Sequence, residues 1–293
     1  MYEKVNKRAE GYFELRQKPT QADIEQFYQN EYHQRVKGSA EKKYSDEELS
    51  YNENKLEQIY QIVKELLKME VANSKFLDIG CGEGWALQFF ENKNWDVTGL
   101  DYSDYGCQKF NPKASAHLIV GDIYQSIHRL MVDRQQYDCI FMFNVLEHVL
   151  DPLSLLQKCR ELLNDKGLLV VKVPNDFSDL QQHLVTTGMV DRAYWICAPD
   201  HISYFNKDGL QNIGNRAGFQ TNKMIADFPI DLLLFNEDTN YVNNKDKGKN
   251  CHKQRIAIEN FVHDIAPEKA TVRYESLADL GLGRNLTAFF SKK

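Results

Sequence analysis

The run Phe76-Leu77-Asp78-Ile79-Gly80-Cys81-Gly82-Glu83-Gly84-Trp85 constrains this chain more than any other stretch. The residues up to Ile79 read as a buried parallel strand; glycines then take alternate positions, and Trp85-Ala86-Leu87-Gln88-Phe89-Phe90 has helical spacing. Glycine permits positive φ and lets a ligand approach the backbone, while the helix that follows begins with unpaired N–H groups. A strand, a tight turn and a helix start of this kind make a nucleotide-type site in an α/β sheet.

A dinucleotide fingerprint would place Gly or Ala at the sixth position so that helix and strand pack closely, but Trp85 stands there. The indole argues against a pyrophosphate ligand. Asp78 ahead of the glycines, and Asp101 after the next apolar strand, supply carboxylates for an ammonium and a ribose diol. That combination suits S-adenosylmethionine better than NAD.

Four segments in order, Leu77 to Gly84, Asp101, Gly121-Asp122 and Tyr137 to Val149, resemble the successive motifs of class I S-adenosylmethionine-dependent methyltransferases. The resemblance covers residues 76 to 175 and implies a Rossmann-like α/β fold with a seven-stranded sheet, mostly parallel, whose last strand is antiparallel. S-adenosyl-L-methionine is the implied cofactor. Asp78, Gly80, Cys81, Gly82 and Gly84 would then hold its methionine portion and ribose, and Asp101, with Tyr102 beside it, the ribose hydroxyls. Asp122 and Ile123 fall to the adenine, and Asn144 to the methionine. Plainer readings stand beside these: a turn with no ligand for the glycines, and a helix N-cap for Asp101.

A net charge of −6 with no basic cluster makes nucleic acid a poor partner. Six scattered cysteines, none at metal-ligand spacing, read as buried thiols of a reducing compartment, and no metal is assigned. No window approaches the length of a membrane span. The expectation is a cytoplasmic protein acting on a small molecule, its oligomeric state unread.

Residues 1–74 read as a helical extension able to act as a lid. Thr20 and Asp23 suit a capping box, Ile24, Phe27, Tyr28 and Tyr32 recur at helical spacing, and a longer helix is expected from Asp46 to Met69. This leader resembles that of methyltransferases of surface-polysaccharide gene sets, and Tyr28, Tyr32 and Tyr44 are its candidates to touch the cofactor or the substrate. The alternative for all three is amphipathic packing.

The core, 75–230, alternates strands near 75–79, 96–101, 116–120, 138–143 and 167–173 with helices near 85–93, 103–110, 123–131 and 153–163. Ligands in such sheets bind outside the carboxyl ends of the strands, so the loops after the first and fourth strands face one space. An insertion at 176–200 would stand over the sulfonium. The closing hairpin, 220–227 with 285–290, is opened by a second helical insertion at 231–283, which leaves 284–293 as the final strand.

On the acceptor side, Pro199-x-His201-x-x-Tyr204-Phe205 resembles a signature of sugar- and small-molecule-methylating enzymes. It implies His201 as general base, with His148 the second candidate, against a structural role for each. Tyr204 belongs to the same signature, and Tyr241, His252, Arg255 and Arg284 match a C-terminal pattern of that group. Arg255 or Arg284 could clamp a carboxylate or the diphosphate of a nucleotide sugar, or simply form salt bridges. The leading expectation is methyl transfer to a small polar metabolite or glycan-linked acceptor. Two alternatives remain: quinone or phenol O-methylation, because Asn144-x-x-Glu147-His148-Val149 also looks like enzymes of ubiquinone synthesis, and a catalytically inactive cofactor-binding regulatory subunit.

Overall fold

The computed structural model describes residues 2–20, 23, 43–68 and 73–293. The first strands are β1 (Val5–Lys7) and β2 (Phe13–Leu15), followed by helix α1 (Asp46–Leu67). Then come β3 (Lys75–Ile79), α2 (Trp85–Asn92), β4 (Asp96–Asp101), α3 (Tyr105–Phe110), β5 (Leu118–Val120), α4 (Ile123–Val132), β6 (Tyr137–Phe143), α5 (Pro152–Leu162) and β7 (Leu163–Pro174). The chain closes with α6 (Asp179–Thr186), β8 (Ser203–Tyr204), α7 (Lys207–Arg216), β9 (Phe219–Ala226), α8 (Gly248–Ile265), α9 (Pro267–Asp279) and β10 (Asn285–Lys292).

Seven strands form one sheet in the order β5-β4-β3-β6-β7-β10-β9. All pairs from β5 to β7 are parallel, and β10 runs antiparallel to both β7 and β9. The expected sheet, with its final antiparallel strand, is the one found. Its central strands are apolar on both faces because both are covered: Leu77 and Ile79 point toward α4, α5 and α7, whereas Phe76 points toward α1, α2 and α9. On that second face Phe76 stacks on Phe90 at 3.9 Å, and Phe141 meets Phe90 edge-on at 5.1 Å. Each such ring removes enough apolar area from water to contribute on the order of 2–3 kcal/mol.

The two additions to the minimal fold therefore carry structural weight. Ile59, Ile62 and Val63 of α1, and Ala270 and Tyr274 of α9, complete a layer that α2 alone would leave open. A capping box starts α1, with Ser45 N donating to Glu48 Oε2 at 2.8 Å and Glu48 N to Ser45 Oγ at 3.3 Å.

The opening residues depart from the helical expectation. β1 and β2 form a hairpin about Gly11, whose φ is 102°, and β2 pairs with β8, Phe13 opposite Tyr204. Phe13 stacks on Phe177 at 3.9 Å, and Val5, Leu15, Trp195 and Tyr204 fill the space beneath. Three-residue strands have too little alternation to be read from sequence, and this sheet is specified by partners far along the chain. The expected capping pair does form: Thr20 N donates to Asp23 Oδ2 at 2.8 Å and Asp23 N to Thr20 Oγ1 at 3.2 Å. Tyr28 and Tyr32 lie outside the described residues.

Candidate functional site

The turn after β3 is built by three glycines, each for its own reason. All adopt left-handed φ, 73° at Gly80, 54° at Gly82 and 76° at Gly84. A Cβ at Gly80 would come within 2.5 Å of Val145 Cγ2, and one at Gly84 within 2.5 Å of Cys107 Sγ. At Gly82 it would meet nothing within 4 Å, so the middle of the turn faces open space. Cys81 sends its buried thiol the other way, beside Gly99, and presents only backbone to the turn.

Asp101 ties this turn to the end of β4. Its Oδ2 accepts from Gly82 N at 2.8 Å and its Oδ1 from Ser103 N at 3.0 Å. Burial raises its pKa, and the N–H groups of Gly82, Ser103 and Tyr102 oppose that rise. Asp78 differs: it is 4% exposed, yet no described group donates a hydrogen bond to it. Burial first, and the Asp101 charge second, push its pKa up to about 8. A buried carboxyl without a partner is a costly arrangement that a bound ammonium would relieve.

Glu83 links the turn to the leader. Its Oε2 accepts from Tyr44 Oη and, at 2.7 Å, from Trp85 Nε1. Tyr44 lies edge-on to Trp85 at 5.4 Å and to Phe110 at 5.3 Å. The residue that breaks the dinucleotide fingerprint is thus one of three rings in an aromatic wall beside the glycines.

At the end of β5, Asp122 caps α4 by accepting from Gln125 N at 2.8 Å, while its other oxygen takes the Tyr102 hydroxyl at 2.7 Å. Both oxygens have protein donors, each with lone pairs to spare, and Ile123 begins the helix behind them. Asn144, exposed at the end of β6, is in left-handed φ at 54°.

Beyond Asn144 the chain turns through Leu146–His148, and the loop before β8 brings His201 against it. Ile202 N donates to Glu147 O at 2.8 Å, and the two imidazoles meet edge-on at 4.8 Å. His148 Nδ1 lies 2.7 Å from the Asp200 carbonyl, which can only accept; Nδ1 therefore carries a proton, and in the neutral ring Nε2 holds the lone pair. That Nε2 is 3.9 Å from Glu147 Oε1. Glu147 is 1% exposed, its Oε2 has no partner, and burial first, then the Asp176 and Asp200 charges, raise its pKa to about 8. His201 Nδ1 is also buried without a partner, and burial followed by the neighbouring His148 lowers the ring's pKa to about 4.

The expected acceptor-side residues are placed less uniformly. Tyr204 is fully buried and donates its hydroxyl to His201 O at 2.8 Å, so it holds the histidine loop from below instead of facing the site. Arg284 donates to Asp176 Oδ1 at 3.0 Å; burial would lower its pKa, but the Asp176 and Asp231 carboxylates raise it. Neither a free clamp nor a surface salt bridge describes it, because Asp176 is fully buried. Tyr241 donates to Asp231 Oδ1 at 2.5 Å. His252 Nδ1 lies 2.9 Å from Arg255, whose guanidinium sits 5.5 Å from the Tyr51 ring, so this pair joins α8 to α1. Sequence reasoning gave no role to Glu83, Glu147, Asp176 or Asp231; only Glu147, next to a histidine at a strand end, carried a local signal.

Sheet order, glycine turn and strand-end carboxylates together define a Rossmann-like protein of the kind that binds S-adenosylmethionine. The residues fit that molecule, with open space over Gly82 and an unpartnered buried carboxyl at Asp78. A family model described as a methyltransferase domain matches residues 51–223, more than half of the chain, and the chain belongs to that family, whose cofactor is S-adenosylmethionine.

Among curated proteins, the ubiquinone biosynthesis O-methyltransferase of Glaesserella parasuis is 34% identical over 109 residues, 34% of this chain and 45% of that protein. The enzyme of the same name from Histophilus somni is 31% identical over 111 residues, 36% of this chain and 47% of that protein. The chain spans just under half the length of these relatives. Among solved structures, the [4+2]-cyclase SpnF shares the fold with a TM-score of 0.53 at 16% identity, over 94% of this chain and 97% of that one. A cyclase on the same fold means that the chemistry has to be argued from the site.

Proposed function

We propose that this chain transfers the methyl group of S-adenosylmethionine to a hydroxyl of a small, polar, anionic acceptor such as a nucleotide sugar. The observation that carries the reading is the contact between its two halves. Val145 fills the space that a Gly80 side chain would need, so the glycine turn and the loop bearing Glu147 and His148 abut. When bound, the cofactor supplies an electrophilic methyl on a sulfonium. Gly82 and Asp101 hold the ribose side, and Asp78 receives the ammonium. Glu147, His148 and His201 stand where the acceptor hydroxyl has to lose its proton. Holding the reacting atoms in line is worth up to roughly 7–11 kcal/mol.

Lys172 supports an anionic acceptor. It lies at the end of β7, half-buried, 6.0 Å from the Phe143 ring, and makes no ion pair among the described residues. The names of the matched relatives favour a second reading, a phenol or quinol acceptor. No described helix is long and apolar enough to cross a membrane. Labelled-methyl transfer to nucleotide sugars and to prenylated phenols, run side by side, tests both. Methylation of the sugar set supports the first reading and of the phenols the second; label on neither, in a chain that binds S-adenosylhomocysteine, favours a cofactor-binding protein without catalysis.

A further inference from the structure

We infer that Glu147, His148 and His201 form a divalent-cation site that binds the acceptor's oxygen, which rests on the O-methylation reading above and supplies its missing chemical step. No metal is expected from the sequence, because the third group arrives from a separate loop. One atom from each side chain lies within 4.8 Å of the others. A first-row divalent ion held at about 2.0–2.2 Å would set these atoms roughly 3–3.5 Å apart, so closing on it takes about an ångström of side-chain movement.

Four further observations fit a ligand set better than a hydrogen-bonded cluster. The Asp200 carbonyl fixes the His148 ring with its Nδ1–H, leaving Nε2 as the donor atom, the outer-shell arrangement that ligating histidines use. Glu147 Oε2 and His201 Nδ1 are both buried and both lack partners, although hydrogen bonds would be the cheapest way to satisfy them. The imidazole planes stand at 85°, so two ring nitrogens can converge without stacking. Asp176 and Asp200 add negative charge around the cluster.

Two nitrogens and one oxygen suit Zn²⁺ or Mn²⁺ better than Mg²⁺, which prefers oxygen. Three protein ligands leave positions open, as in catalytic sites. One or two adjacent acceptor oxygens, from a sugar diol or a catechol, would occupy them. The cation stabilises the alkoxide or phenoxide form, and the proton passes to water. The oxygen then forms its bond to carbon as the sulfur–carbon bond breaks, and the sulfur keeps that electron pair. No oxidation is involved.

The test uses the full chain, stripped with chelator and titrated with MnCl₂, free Mn²⁺ being read by electron paramagnetic resonance, and with ZnCl₂ by calorimetry. One cation per chain is expected. Glu147→Gln and His201→Asn should each weaken it by about a hundredfold or more, since even outer-shell changes cost ~10–100-fold. His183→Ala, on α6, controls for surface histidines and should change nothing. S-adenosylhomocysteine affinity, measured on the same samples, confirms that the variants are folded. A wild-type chain that binds S-adenosylhomocysteine but no stoichiometric Mn²⁺ or Zn²⁺ overturns the site and leaves methyl transfer standing. So does cation binding that survives both variants. Loss of S-adenosylhomocysteine binding in the wild type would instead count against the cofactor cradle.

Discussion

The cofactor side and the acceptor side of this cleft are built by different means. On the cofactor side the hydrogen bonds of the cradle join residues close in sequence or on neighbouring strands, Gly82 to Asp101, Asp101 to Ser103, Tyr102 to Asp122, and among the described residues only the Tyr44–Glu83 bond reaches out to the leader. On the acceptor side the contacts span the chain: Glu147 to Ile202, Asp176 to Arg284, Tyr204 across to Phe13. A local motif can state the first kind of geometry completely. The second exists only once sheet, leader and insertions have docked, so it can change its substrate without disturbing the cradle.

The largest expected effect falls at the most local contact of the cradle. Asp101→Ala removes two charge-assisted bonds from half-buried backbone N–H groups, each worth about 1.5 kcal/mol, the lower end for a bond to a charged group. S-adenosylhomocysteine affinity should fall by about a hundredfold by calorimetry, since roughly 1.4 kcal/mol is tenfold. An unchanged affinity would mean that the cradle does not depend on its own turn. His201→Ala should do the reverse: turnover down by about a hundredfold, cofactor affinity nearly unchanged. If both parameters fall together, the two halves are not separable.

Gly80→Ala tests the seam between them. Left-handed φ and the Val145 methyl both oppose a side chain there, and a loss of about 2–3 kcal/mol in unfolding free energy is expected from denaturant titration. Adding Val145→Ala should return part of that loss, the steric part, and leave the φ part. Full additivity of the two changes would deny the contact.

These contrasts explain what could be read in advance. The glycine turn, the Asp101 strand end and the Thr20–Asp23 cap each depend on residues a few positions apart, while the seven-stranded order follows from the resemblance of four motifs in sequence; each is found where expected. The β1–β2 hairpin escaped because pairing with Ser203 and Tyr204 is what makes those short segments strands. Tyr204 and Arg284 looked like substrate contacts because a tyrosine and an arginine near a site invite that role; their actual partners, His201 O and Asp176, lie outside any local pattern.

Asp78 gives a smaller effect with a definite sign. With its pKa raised to about 8 in the empty site, the carboxyl is neutral below that pH and must release a proton to pair with an ammonium. Affinity for S-adenosylhomocysteine should therefore rise from pH 6 to pH 8, by up to about tenfold per unit, and level off above. Asp78→Asn should flatten the curve. For the empty chain the sign is opposite: the native state holds this proton more tightly than the unfolded chain, so stability from this group is full below about pH 4 and is lost as pH rises toward 8. Asp78→Asn should accordingly stabilise the empty protein at pH 8 more than at pH 5.

The smallest effect falls where the leader reaches the cofactor side. Tyr44→Phe keeps the ring against Trp85 and Phe110 but removes its hydroxyl from Glu83, a bond to a charged group that is partly open to solvent. Solvent screening discounts such a bond to about 1 kcal/mol, or roughly fivefold in S-adenosylhomocysteine affinity, with little change in melting temperature. Glu83 also holds Trp85, so Glu83→Ala, which removes the acceptor of both bonds, should alone cost more than Tyr44→Phe alone. In the double variant the Tyr44 change should add little, because its partner is already gone. If instead the two losses add in full, the Tyr44 hydroxyl acts through a group other than Glu83.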